Sequence, residues 1–130
     1  MPSDPTTSVS TSFQLVLPPD PQLLRVVRLV ASGLASLAQL DLDAVEEIRV
    51  SADELVSTLI GAGAGGDITL AFELTEERVR LTGETALPSG AELQVDPISD
   101  RILATVASRH TWSSEGGRAV GSVERDLAGH

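Results

Sequence analysis

Val50-Ser51-Ala52-Asp53-Glu54-Leu55-Val56-Ser57-Thr58-Leu59-Ile60 is the stretch on which the reading of this chain turns. Ala52, Leu55, Val56 and Leu59 recur at helical spacing, and Val45 and Ile48 carry the same stripe one to two turns upstream. Glu54 and Thr58 stand four residues apart, about 40° apart on a helical wheel, and are expected on the side opposite the apolar stripe. Asp43 is the expected N-cap, with Glu46 in a capping-box relation to it. Gly61-Ala62-Gly63-Ala64-Gly65-Gly66 ends the helix in a loop that no regular element absorbs.

Upstream, Phe13 to Leu17 alternates apolar and polar side chains and stops at Pro18-Pro19, as a short edge strand does. Asp20-Pro21 is a helix start, and the helix is expected to run to about Leu40. Downstream, Ile68 to Leu74 and Arg78 to Thr82 form strands joined by the compact turn Thr75-Glu76-Glu77. Gly83 to Pro97 reads as loop, Ile98 to Arg109 as a third helix, and Thr111 to Ser113 with Arg118 to Glu124 as a closing hairpin around Gly116-Gly117. The order β-α-α-β-β-α-β-β describes an α+β fold. It is a two-layer α/β sandwich, with an antiparallel-rich sheet covered on one face by three helices.

At 130 residues with 42% apolar side chains, the chain supports one core. Phe13, Phe72 and Trp112 are its only aromatics, so that core is mostly aliphatic. Nine basic residues, all arginine, stand against nineteen acidic ones for a net charge of −10. Such a surface repels a phosphate backbone, which argues against direct nucleic-acid binding. The lack of cysteine excludes disulfides and thiolate chemistry. Met1 to Ser12, polar and rich in Ser, Thr and Pro, reads as a disordered tail with no secretory signal, and no apolar run is long enough to span a bilayer. A cytoplasmic location follows as the expectation.

The ordered set of elements and words resembles the RsbW-like anti-sigma factors and serine kinases, which have a GHKL-type (Bergerat) ATP-binding fold. The resemblance covers Phe13 to Leu127. It rests on Leu17-Pro18 followed by a helix bearing Arg25 and Arg28, and on Leu40-Asp41-Leu42-Asp43-Ala44 leading into Asp53-Glu54 and Thr58-Leu59-Ile60. The last helix, Trp112, the glycine turn and the final strand complete the set, and actinobacterial anti-sigma F factors are the nearest in pattern. In such families a helix glutamate polarises water or a hydroxyl and an asparagine one turn on holds Mg²⁺. An Asp-x-Gly-x-Gly word then binds adenine, and a later Gly-x-Gly cradles phosphate at a helix start.

This chain keeps Glu54, which the resemblance makes the catalytic candidate. The other ATP positions differ: Thr58 replaces the asparagine, Gly83-Glu84-Thr85-Ala86 stands where the adenine word belongs, and Ser99-Asp100 stands where the phosphate glycines belong. Thr58, Gly83, Glu84, Ser99 and Asp100 thus mark a degenerate ATP site, with no cofactor expected and no metal site. A threonine hydroxyl lacks the amide carbonyl that suits Mg²⁺, and an aspartate repels phosphate.

The resemblance implies an anti-sigma factor of a stress or developmental system that sequesters an alternative sigma factor. A STAS-type anti-anti-sigma protein releases it. The family also implies partner contacts at Arg25 and Arg28 and a homodimer formed through the sheet side. Two alternatives stand beside it: an active Mg-ATP-dependent serine/threonine kinase using Glu54 and Thr58, and a nucleotide-free module regulating another signalling protein. The glycine run is no P-loop, since it lacks the Lys-Ser/Thr ending and follows a helix. Trp112 is read as core, and Glu46-Glu47 and Glu76-Glu77 as solvated surface.

Overall fold

A computed structural model describes residues 10–127; most of the expected tail falls outside them, and Thr11 and Ser12 already belong to strand β1 (Thr11–Leu17). Asp20 accepts a hydrogen bond from the Gln22 N–H and opens a 3-10 turn over Pro21–Leu23. This turn leads into helix α1 (Leu24–Leu37). The helix ends before the expected Leu40 because Gln39 turns left-handed, at φ 55°. The Leu40 N–H then bonds the Ala35 carbonyl at 3.2 Å and the Gln39 N–H bonds that of Ser36 at 3.0 Å. These two bonds make a Schellman closure with glutamine where glycine is the usual residue.

Helix α2 (Leu42–Ala62) is capped by Asp41, not by Asp43. Asp41 is extended and its carboxylate accepts from the Ala44 N–H at 2.9 Å. Asp43 falls inside the first turn, where its charge suits the helix dipole. Glu46 pairs with Arg49 at 3.0 Å instead of reaching back to a cap.

Strands β2 (Ile68–Leu74) and β3 (Arg78–Ala86), helix α3 (Pro97–Val106), and strands β4 (Arg109–Glu115) and β5 (Arg118–Asp126) follow. The five strands form one antiparallel sheet in the order β1-β2-β3-β5-β4. Two expected boundaries move. Gly83 to Ala86 is strand rather than loop, because each residue finds a partner on β5. The third helix stops at Val106, since Arg109 already pairs with Glu124 as the start of β4. Gly116 and Gly117, with φ 56° and 77°, supply the two left-handed residues of a tight β4–β5 hairpin. At the β2–β3 turn, the Thr75 hydroxyl accepts from the N–H groups of Glu77 and Arg78.

All three helices lie on one face of the sheet. Helix α2 sits centrally on β2, β3 and β5, with α1 and α3 on its two flanks. Because α3 touches β4, α1 takes the β1 side. Phe72, Leu34, Ile48, Leu55, Leu59 and Leu103 are fully buried between the layers. Phe13 stacks on Phe72 with centroids 4.9 Å apart. Gly83 and Gly121 face each other across β3 and β5. A Cβ on Gly83 would lie 2.6 Å from Leu59, and one on Gly121 would lie 2.6 Å from Leu55 and 2.5 Å from Trp112. The two glycines make a saddle in which α2 comes down onto the strands.

Candidate functional site

Glu54 and Thr58 do not point straight away from the sheet. Both are half-buried. The reason is that α2 is covered on two sides. Asp53 turns toward α1, where it receives Arg28 in a two-pronged bond at 3.1 and 3.3 Å. Glu47 turns the other way and receives Arg125 of β5 at 2.6 Å. At about 100° per residue, Glu54 and Thr58 fall on the Glu47 flank, which looks toward β5 and α3. Ser51 shares this flank; it is 1% exposed, and its hydroxyl has no partner among the described residues.

The other residues that the resemblance marks scatter. Gly83 faces the helices, under Leu59 and Leu55. Glu84, one residue on, faces the other side of the sheet and meets Arg118 at 3.4 Å. The helix-facing neighbour is Thr85, fully buried, whose hydroxyl donates to the Asp67 carbonyl at 3.0 Å. Thr85 in turn explains Gly63, where a Cβ would come within 3.1 Å of it. Sequence reasoning missed Thr85 because it took this stretch for loop; strand alternation is the signal that finds it.

Ser99 lies in the first turn of α3, behind the Asp96 cap. Asp100 is held by His110 of β4, Nε2 to Oδ1 at 2.7 Å. This contact also escaped the sequence, since nothing local relates a helix residue to the strand that follows it. Asp100 thus carries a carboxylate already paired with an imidazole at the position where the resemblance would put phosphate-binding glycines. Leucine side chains seated on the glycine saddle fill the contact between α2 and the sheet. Glu84, on the outer face of the sheet, does not converge with Glu54 and Thr58 on α2.

Arg25 is exposed on α1, and Arg28 is partly covered by its bond to Asp53. The two residues share the helix but not its exposure.

The outer face of the sheet carries a different pattern. Glu73, Arg80, Glu124 and Arg109 stand in one register row across β2, β3, β5 and β4. They alternate in charge and are bridged at 3.5, 2.8 and 2.8 Å. Arg109 also clasps Asp126. Hydrogen bonding from Arg109 holds the Glu124 carboxyl below its usual range, against the smaller opposing effect of burial, and does the same at Asp126. The same two carboxylates push the Arg109 guanidinium up. An open groove of about 650 Å³ adjoins this row, but Glu76, Glu77, Glu124 and Asp126 in its walls outnumber its two arginines. It is remote from Glu54 and is no anion site. Among the described residues no cluster suits a metal ion, and no helix is long and apolar enough to cross a membrane.

No family model and no curated protein matches the chain. Its fold does match a solved structure, a chain of the SiaB–SiaC complex from Pseudomonas aeruginosa. That match has a TM-score of 0.58 at 12% identity and covers 88% of this chain and 89% of that one. The likeness is one of fold.

Proposed function

We propose that this chain acts by binding another protein, as an anti-sigma factor that sequesters an alternative sigma factor. A STAS-type anti-anti-sigma protein is the antagonist that releases it. The observation that carries this reading is the fold, shared over nearly the whole chain with a protein solved in a two-protein complex. The order of words resembling the RsbW-like family adds the class of partner. We place the protein in the cytoplasm and assign it no nucleotide cofactor. Leu55 and Leu59 on the glycine saddle, and Asp100 taken up by His110, support a site that has lost the family's grip on Mg-ATP.

A second reading, a working serine/threonine kinase, draws on one feature. Glu54 and Thr58 remain side by side on a half-buried flank, and no hydrogen bond among the described residues engages either side chain.

Affinity capture of the tagged protein from its native host tests the first reading. A sigma factor or a small switch-type antagonist is expected among the captured proteins. Another class of signalling protein in their place would overturn the sigma assignment. Arg25→Glu is the sharper surface probe, since Arg25 is exposed and its loss breaks no ion pair among the described residues. We expect about tenfold weaker capture with an unchanged circular dichroism spectrum. Arg28→Glu also sets a carboxylate against Asp53, so it reports on the α1–α2 contact as well.

A further inference from the structure

Helix α3 is held to the rest of the fold by very little. Leu103 is its one fully buried residue, and Ile98, in its first turn, is 70% exposed. Thr105 donates its hydroxyl within the helix, to the Arg101 carbonyl. Among the described residues, the bond between His110 Nε2 and Asp100 Oδ1 is the single hydrogen bond from α3 to another element. Residues 87–96, which lead into the helix, contain no regular element. They are pinned at two points, the Leu87 N–H on the Gly117 carbonyl and the Leu93 N–H on the Ser114 hydroxyl. The helix is thus a strap with one apolar foot and one polar clasp.

The seam that α3 shares with α2 and β4 is also incomplete in its hydrogen bonding. Ser51 Oγ on α2 and Trp112 Nε1 on β4 are both buried with no partner among the described residues. Trp112 lies two residues beyond His110, on the same face of its strand. A buried polar group without a partner forfeits its hydration, which contact with water restores. Opening of α3 is therefore opposed by Leu103 and by the clasp, and favoured by the two orphaned groups.

We infer that the His110–Asp100 pair is a proton-operated clasp, which closes α3 against the α2 flank bearing Ser51, Glu54 and Thr58. Imidazole is the side chain whose charge ordinarily changes between about pH 5 and 8, and a charged donor makes the stronger bond to a carboxylate. The clasp is strongest where an imidazolium meets an ionised Asp100. It weakens as pH rises through the ordinary imidazole range, near about 6.5. The other charged groups on this side are Glu47 and Glu54 of α2 and Arg125 of β5, the last already bound to Glu47. Arg109, the strand neighbour of His110, turns to the outer face and is held there by Glu124 and Asp126.

An exposed ion pair shifts an equilibrium by only a few fold, so the test must read local opening rather than global unfolding. Amide hydrogen exchange, resolved along the chain and corrected for the intrinsic rate at each pH, does so. Between about pH 5.5 and 7.5, the α3 amides are expected to open about threefold more often, while those of β2 and β3 stay constant. Acrylamide quenching of Trp112 emission is expected to rise over the same range. His110→Gln keeps a neutral donor and is expected to erase the pH dependence in α3. Asp100→Asn is expected to do the same from the other partner. Asp100 is exposed, so this second variant keeps the test decisive should His110→Gln misfold. Protection of α3 that does not change with pH in the wild type overturns the proposal. So does a pH dependence that survives in both variants. The clasp works within one chain, so its failure leaves the proposed function untouched.

Discussion

A single glycine shows how closely this fold is set. Gly121 brings the strand, Leu55 and the only tryptophan together, and a methyl group there has no free volume to occupy. Gly121→Ala is expected to destabilise the protein by about 1–3 kcal/mol, the usual cost of overpacking a dense core. The emission maximum of Trp112 is expected to shift as the ring is displaced. Gly61→Ala is the contrasting case: Gly61 lies in the last turn of α2 with nothing near its would-be Cβ. That change is expected to stabilise by about 0.5–1 kcal/mol, through helix propensity and a less flexible unfolded chain. Denaturant unfolding of both variants checks the two signs. Finding both substitutions neutral would mean that α2 does not rest on the strands as described.

Among the elements, the sheet is held in register by charge as well as by its apolar face. The row Glu73, Arg80, Glu124, Arg109 favours this alignment, since a one-residue slip of any one strand would turn that strand's member to the helix side. Glu124 is the hinge of the row, bridging two arginines. Its carboxyl titrates lower in the folded state than in the unfolded one. Its contribution is therefore complete above the unfolded value of about 4.3 and is lost as pH falls through the lower folded value. Wild type is expected to lose melting temperature between about pH 5 and 3, and Glu124→Gln is expected to lose less over that window. Thermal melts at a series of pH values decide it, and parallel curves for the two proteins would place the acid sensitivity elsewhere.

Some of these elements were legible in the sequence and some were not. The α2 stripe was readable because Val45, Ile48, Ala52, Leu55, Val56 and Leu59 keep one helical periodicity. The cap was misplaced by two residues because Asp41 and Asp43 are alike in type and only backbone conformation separates them. The end of β3 was missed because Gly83 suggested a loop, whereas a long-range partner, Gly121, makes it strand. The surroundings of Glu54 were not readable at all. Whether a helix flank is open depends on what packs beside it, here α3, which begins more than forty residues later.

For the whole molecule, the question is whether its face between α2, α3 and the sheet serves a nucleotide. Mass action gives this a scale. A ligand held only by the folded state stabilises it by about 2.7 kcal/mol when present at about a hundred times its dissociation constant. For a domain of this size that moves the melting temperature by several degrees, well outside measurement error. The positions that would supply such binding are divided. Glu84 sits across the sheet, Thr85 is satisfied by Asp67, Asp100 by His110, and leucines occupy the glycine saddle. We therefore expect millimolar Mg-ATP to leave the melting temperature unchanged within about 1 °C, with Mg²⁺ alone as the reference. A specific upward shift that Glu54→Ala or Thr58→Ala abolishes would revive the kinase reading, because no hydrogen bond among the described residues engages those two side chains. No shift, beside a captured protein partner, leaves binding alone to explain why this fold is kept.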